Sequence, residues 1–478
     1  MKTKWLLAFI VVIGIAKPSH AQEWSLPVQI SSDSMNVLTH DYAIDKTGTI
    51  HCVWADKIND CYSKIYYSKS TDNGISWTNP LDLIQNNNLV LLEPHIACDA
   101  ENNLYVSYDY NILDESNTLV YLTKNTGNGW ETPFCVSSGM PTSYANRIVI
   151  DNDNRVYVFW FRFCFRKTFY RYLDKNVWSD KICLNCLDNH SYYFSNIVVD
   201  NEKNIHCSGT FTDGNTNLTR KSYMKYNFSM HDWEPLILLT NKRGRAGQGL
   251  AVDQQNNPHV AFNIYTDTIT LNDATVYKYY DGTIWTPDET VIEDPLYQTI
   301  AVDNYNRPFI ANKEKTESGN QLVYYEKTNN TWEGKIIDVG YDLLFLKLFY
   351  HNGYLYIIYE KREVGGGFGS LMFSKCQIPL SIEKNHIQEL VLEQNYPNPF
   401  HSETTLCFNL NTNGNATLKI LNLEGKLVAN LINEYKTTGE YRVKWNGKDN
   451  NGKEVPKGLY LYRLQVGSHV MTRSLSYE

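Results

Sequence analysis

Helical signatures are scarce in this 478-residue chain, since few segments place apolar residues at the three- and four-residue spacing of an amphipathic helix. That excludes a helical bundle. The formal net charge of −8 comes with no concentrated basic face, so nucleic-acid binding has no support. The one strongly apolar run, Trp5 to Ala16, is about a dozen residues, short of the ~20 that a spanning helix needs. No transmembrane segment is therefore expected after residue 21. Long low-complexity tracts are missing, and no motif for a cofactor is present.

Metal-site spacing is also missing. Cys183 and Cys186 form a CLNC pair without a second pair to complete a zinc site, and DNDN at Asp151 to Asn154 lacks the Gly and distal Glu of a calcium loop. No metal is expected. Ten cysteines leave room for disulfides in an oxidising compartment, but they are not spaced as a disulfide scaffold. Cys52 and Cys207 occupy one column of a repeat and read as small buried hydrophobes.

That repeat is what the chain does contain. The unit YAIDKTGTIHCVWAD, Tyr42 to Asp56, is an apolar run ending in Asp, a short polar turn, and a second apolar run. It describes two antiparallel strands. Its turn aspartates recur at Asp45, Asp99, Asp151, Asp200, Asp253 and Asp303, and a looser seventh copy turns at His351-Asn352-Gly353. A second ladder runs in phase, a Tyr-rich strand followed by a turn and a Trp, at Trp77, Trp130, Trp178, Trp233, Trp285 and Trp332. Each period of about fifty residues thus holds four strands.

The seventh Trp is Trp24, near the beginning, while the seventh repeat stops at Cys376 without its Trp strand. The N-terminal strand completes the last blade. An all-β, seven-bladed β-propeller over residues 22–378, closed by strands from both ends, is expected, with the tryptophans as wedges between blades. His51, His206 and His259 share a column with Tyr105, Tyr157 and Phe309 and read as packing residues.

Residues 1–21, with Lys2 and Lys4 ahead of the apolar run and Ser19 and Ala21 behind it, have the layout of a cleavable secretory signal. Residues 379–391 form a polar linker, and 392–478 read as a small Ig-like β-sandwich of short alternating strands.

Two resemblances add to this reading. NYPNPF at Asn395 to Phe400, LKILNLEGKLV at Leu418 to Val428 and WNGKDNNGKEVPKGLYLYRL at Trp445 to Leu464 resemble the C-terminal sorting domain of the type nine secretion system of Bacteroidota. The resemblance implies export to the medium or the outer-membrane surface by way of the periplasm, with the secretion machinery as a partner. STDNGISW at Ser70 to Trp77 resembles the Asp-box of sialidase-type propellers, with TKNTGNGW at Thr123 to Trp130 a degenerate copy. In that family the box is a structural turn. The family's N-terminal Arg-Ile-Pro signature is absent here, which speaks against sialidase activity.

If the strands of each blade run outward in chain order, the Asp turns and Asp-boxes share one face. The opposite face, at the starts of the inner strands and the ends of the second strands, is the expected mouth. Asp41, Asp56, Glu93, Asp109, Arg162, Tyr192, Arg243, Arg245, Tyr265 and Glu360 are its candidate ligand-binding residues. Aromatic rings, carboxylates and guanidinium forks together suit a glycan or another extracellular polymer. If the protein is an enzyme, His40 and His95 are the acid/base candidates, with Tyr110 or Tyr193 as partners and Arg147 nearby. Binding without chemistry, a polysaccharide lyase or glycosidase, and a protein-interaction or adhesion platform all remain open at this stage.

Overall fold

The computed structural model describes residues 23–378 and 391–478, apart from 60–61, 85–89, 112–117, 185–189, 267–272, 294, 296, 317–318, 329, 341, 363–368, 411–412, 424 and 467–468, and apart from the side chains of 245–247, 391 and 469. Residues 1–21, expected to be a signal sequence, and nearly all of 379–391, expected to be a linker, therefore lie outside the described residues. Two compact units divide at 379/380.

The first unit is a seven-bladed propeller. Each blade is an antiparallel sheet, and in the first six the strands follow chain order outward, as in blade one with Val37–Ile44, Ile50–Asn59, Tyr62–Ser70 and Leu81–Asp82. The first strands of successive blades touch one another in a closed cycle from Val37–Ile44 round to Asp342–His351, so they line the axis. Closure falls to the N-terminus. Val28–Gln29 pairs with Ser370–Gln377 in register Val28 to Phe373, and Trp24 bridges to Cys376.

The turn between first and second strands explains the repeated Asp. In blade one, Asp45 Oδ1 accepts the backbone N–H groups of Thr47 and Thr49, each at 2.9 Å. The residue three after the Asp adopts the left-handed conformation, which glycine and asparagine tolerate best: Gly48 has φ 85°, Asn102 65°, Asn154 62°, Asn256 65° and Asn306 62°. Those asparagines also tie blades together. The Oδ1 of Asn102 accepts the Lys46 N–H at 3.1 Å, and Asn154 does the same for Ala100 at 2.9 Å.

The three column histidines are more than packing. Each spans its turn Asp and a Tyr of the third strand, as His206 does with Asp200 Oδ2 at 3.0 Å and Tyr223 OH at 2.7 Å. His51 and His259 repeat the relay with Tyr67 and Tyr277. The next blade's Trp then meets that Tyr edge-on, Trp130 on Tyr67 at 5.5 Å, Trp285 on Tyr223 at 5.0 Å and Trp332 on Tyr277 at 5.3 Å between ring centroids. Turn, second strand, third strand and neighbouring blade are one connected unit. Trp285→Ala is expected to cost about 2–3 kcal/mol, near the lower end for an aromatic removed from a core because the ring is half-buried, and denaturant unfolding reads this directly.

The Asp-box turn behaves as its resemblance implies. Asp72 Oδ1 accepts the N–H groups of Ile75 and Ser76 at 3.0 and 2.9 Å. Gly74 has φ 81°, and a Cβ there would stand 2.0 Å from the Phe373 ring. Trp77 packs edge-on against the same ring. Cys52 and Cys207 are fully buried, and Cys183 is disulfide-bonded, which leaves it no part in a metal site; Cys186 lies outside the described residues.

The second unit is a two-sheet sandwich. Val391–Leu392, Thr404–Leu410 and Gly439–Trp445 form one sheet, and Leu427–Lys436, Gly414–Leu421, Gly458–Val466 and His469–Tyr477 the other. Leu406, Phe408, Leu418, Trp445 and Tyr462 fill its core. The NYPNPF segment latches the last strand: Asn398 Oδ1 accepts the Ser476 N–H at 2.8 Å, Phe400 donates to the Ser476 carbonyl at 3.0 Å, and the Phe400 ring stacks on Tyr477.

Candidate functional site

The axial mouth is built from one register position repeated round the ring. Four residues ahead of each turn residue stand Asp41, His95, Arg147, Asn196, Gly249, Thr299 and Lys347, before Asp45, Asp99, Asp151, Asp200, Asp253, Asp303 and His351. Blades seven, one, two and three place ionisable groups there, and the other three do not. One side of the axis is charged.

These four side chains are linked in ring order. Lys347 Nζ lies 3.5 Å from Asp41 Oδ1, and Asp41 Oδ2 accepts from His95 Nδ1 at 3.0 Å. Arg147 Nη1 then donates to His95 Nε2 at 2.9 Å, and its Nε donates to the Ser195 carbonyl of blade four at 2.8 Å. The His95 ring therefore carries its proton on Nδ1 and uses its Nε2 lone pair on the guanidinium. Burial works against charge on Asp41, but the Lys347 ammonium and the bond from His95 outweigh it and hold the carboxyl far below the usual range.

A bulge in the inner strands brings a second layer to the mouth. In blades two, three and seven the first strand slips register against the second, and the bulge residues Glu93, Ala145 and Phe345 have φ of 48°, 54° and 51°. A left-handed conformation is costly for a bulky side chain, and such strain gathers at functional sites. Two of the three project outward, the Glu93 side chain 40% exposed and Phe345 41% exposed. The Glu93 carboxyl sits 3.8 Å from Arg147 Nη1 and 3.9 Å from His95 Nε2. Desolvation beside the ring opposes its charge, and its carboxyl is held down nonetheless, with the Arg147 guanidinium the cation next to it.

Behind Glu93 lies a buried support. Asp109 is 3% exposed and accepts from Asn146 Nδ2 and from the Ala145 N–H, both at 2.7 Å. Burial, with the Glu93 charge nearby, pushes its carboxyl up to about 7 against the bonds from Asn146. Asn146 also donates to the Glu93 carbonyl at 2.8 Å, which braces the bulge.

Several candidates are placed elsewhere. His40 is turned the opposite way from Asp41, since adjacent residues on a strand face opposite sides. It points into blade seven, where Nε2 lies 3.3 Å from the Ile358 carbonyl, it is 3% exposed, and burial and then Lys347 drive it down to about 3. It is no acid or base for a ligand at the mouth. Glu360 is fully buried beside Arg362 and under Gly369, and Asp56 is buried on the Asn36 N–H at 2.6 Å. Both belong to the scaffold. Tyr110 packs on Tyr121 within its own blade.

The remaining candidates gather on the rim of blades three to five. Tyr193 meets Phe161 edge-on, Tyr192 stacks on Phe211, and Arg243 lies over the Tyr265 ring at 5.4 Å. Arg162 lies over Phe165 at 4.2 Å. Arg245 is the second residue of the strand Gly244–Val252, and its side chain is outside the described residues. Lys347 was missed from the sequence because its repeat has His351 in place of the turn Asp; counting four residues back from that turn finds it.

With this geometry in place, comparison with known proteins bears on both units. Residues 401–469 match the family model of the FlgD Ig-like domain. The sandwich is Ig-like. No curated protein matches the chain. The propeller is similar to a PL25 ulvan lyase, at 12% identity over 73% of this chain and 95% of that one with a TM-score of 0.55. It is also similar to a PL25 ulvan lyase bound to -[GlcA(1-4)Rha3S]-, at 12% identity over 74% and 93% with a TM-score of 0.52. A Hadza microbial sialidase aligns at 10% identity over 72% and 66%, at a TM-score of 0.43. Likeness at this distance shows the seven-bladed fold alone. Among the described residues no helix is long and apolar enough to cross a membrane, and no cluster of His, Cys, Asp and Glu is arranged to hold a metal ion.

Proposed function

We propose that the propeller is a secreted or surface-displayed module that binds a glycan or another extracellular polymer across its axial mouth, and that the C-terminal sandwich is the address that sends it through the type nine secretion system. The observation that carries the binding reading is the linked arc Lys347–Asp41–His95–Arg147, flanked by the strained, half-exposed Glu93 and Phe345. Charged forks and an aromatic face fixed by a rigid ring are the means of holding a polyhydroxylated chain. Both nitrogens of His95 are already engaged, by Asp41 and by Arg147, which favours binding over proton transfer. For export, the support is the Ig-like sandwich with its NYPNPF latch, together with the signal-like first 21 residues.

A second reading, a polysaccharide lyase, has its own support. His95 touches an arginine able to neutralise a uronate, and the propeller is similar in fold to an ulvan lyase. It requires Arg147 to leave His95 Nε2 for the substrate, which frees a base. A glycan panel run on the full chain separates the two by scoring bound polymer and new unsaturated ends. Arg147→Ala is expected to weaken binding about tenfold or more, the order lost with one charge-assisted bond. Unchanged binding by that variant rules the arc out as the site. Unsaturated ends that vanish in His95→Ala establish the lyase reading instead.

A further inference from the structure

The rim of blade three carries a feature that the axial arc does not use. Phe163–Phe165 form one 3-10 turn at the tip of the second and third strands, and Arg166 closes it in the left-handed conformation with its N–H on the Phe163 carbonyl at 3.1 Å. Thr142, just ahead of the inner strand, pins the turn: its carbonyl accepts the Phe163 N–H at 3.3 Å, and its hydroxyl, bonded to the Pro141 carbonyl at 2.6 Å, touches Cys164 Sγ at 3.3 Å. Held in this way, Phe163 and Phe165 remain 62% and 58% exposed. A large apolar side chain fixed in water needs an explanation when two stand side by side.

The charge around them is unbalanced. Arg162 lies on the Phe165 face and gives its Nε to the Pro141 carbonyl at 3.2 Å, and neither it nor Arg166 has a carboxylate within ion-pair distance among the described residues. Arg220 and Arg243, on the same rim in blades four and five, likewise lack one. Across the mouth the cations are matched: Lys313 with Asp342 and Lys361 with Asp338. In a chain of net charge −8 the blade-three rim thus gathers guanidinium groups that have no carboxylate partner among the described residues.

We infer that this rim is a subsite for an acidic stretch of the polymer, whose carboxylate or sulfate groups bond to Arg162 and Arg166 while a sugar face rests on Phe163 and Phe165. It rests on the polymer-binding reading of the mouth and names the class of chain that fits. Guanidinium forks match planar carboxylate and sulfate oxygens in pairs, and the arginine stacked on Phe165 is already oriented, so little freedom is lost on binding. Opposite charge on the ligand also makes the contact sensitive to salt.

Three polymers on one backbone test it: dextran, carboxymethyl-dextran and dextran sulfate, titrated at two salt concentrations against the full chain and its Arg162→Ala/Arg166→Ala and Phe163→Ala/Phe165→Ala forms. Their thermal midpoints are compared first, and with Phe163, Phe165 and Arg166 exposed and Arg162 half-buried on a single carbonyl bond, only a small change is expected. Wild type should prefer a charged derivative, and whichever it prefers identifies the group. The arginine pair should weaken that binding about tenfold or more and flatten its salt dependence. Equal binding of the three polymers, or a charged derivative held as tightly without the arginines, overturns the acidic subsite. Should a neutral glycan of the wider panel still bind in that case, polymer binding at the mouth stands; should none bind, both fall. Capture on phosphatidylglycerol vesicles that is lost in the phenylalanine pair, with no polymer bound, also overturns it and makes the turn a membrane contact.

Discussion

A chain lacking residues 23–31 is expected to lose the cooperative unfolding transition of the propeller and to elute from size exclusion as aggregate. Those nine residues are the outer strand of blade seven. Ser25 donates to the Lys375 carbonyl and Ile30 to the Leu371 carbonyl, each at 2.7 Å, while Ser31 Oγ accepts the Leu371 N–H at 2.9 Å. Without them Ser370–Gln377 becomes a bare sheet edge, its N–H and C=O groups open to pairing with another chain. The loss is also sealed into the ring. Trp24 packs edge-on against Tyr324 of blade six, and buried Ile30 joins the cluster shared by blades one and seven, so removing the strand loosens both borders of the last blade. Trp24→Ala gives the graded version, a stability loss of about 2 kcal/mol with the monomer retained. If the deleted chain unfolds at the wild-type midpoint as a monomer, the N-terminal strand is a cover and not a closure.

Much of that architecture is legible in the residues because it is enforced once per blade by local chemistry. A turn that needs an acceptor Asp and a left-handed residue three positions later writes Asp into six copies and Asn or Gly behind it in five, with Lys203 taking the left-handed place in blade four. A ring that needs a wedge per interface writes a Trp. Counting Trp24 against the missing Trp of the last repeat is enough to find the closure. The mouth is different, because its geometry depends on which of two adjacent residues faces which blade. His40 and Asp41 are equally polar in sequence, but strand alternation sends one into the blade-seven interior and the other to the axis. Bulges at Glu93, Ala145 and Phe345 break the count at the positions that matter most, and nothing in those residue types announces a left-handed backbone. Glu360 reads as a mouth carboxylate until Gly369, nine residues on, is seen to lie so close that a Cβ there would stand 2.0 Å from Oε1.

His40 and Glu360 should reveal their burial as opposite pH signatures in stability, and the pair is more decisive than either. Glu360 is enclosed, Oε2 has no partner among the described residues, and burial pushes its carboxyl up to about 7 despite Arg362. An unfolded glutamate titrates near 4.3. Between those values the folded state holds the proton that the unfolded state has released, so stability is full below about pH 4 and falls as pH rises to about 7. The gap corresponds to about 3–4 kcal/mol. His40 runs the other way. Burial and Lys347 drive it down to about 3, against about 6.5 unfolded, so its contribution is complete above pH 6.5 and is lost as pH falls towards 3, about 2 kcal/mol of it by pH 5. Glu360→Gln should therefore match wild type near pH 4 and exceed it increasingly up to pH 7, and His40→Leu should exceed wild type most at pH 4, the lowest pH measured, and converge on it above pH 7. Denaturant unfolding of the three proteins at pH 4, 5, 6, 7 and 8 measures both differences. Parallel curves for Glu360→Gln and wild type would mean that the carboxylate is solvated in solution and available to a ligand after all, and parallel curves for His40→Leu would return His40 to the mouth as an acid/base candidate.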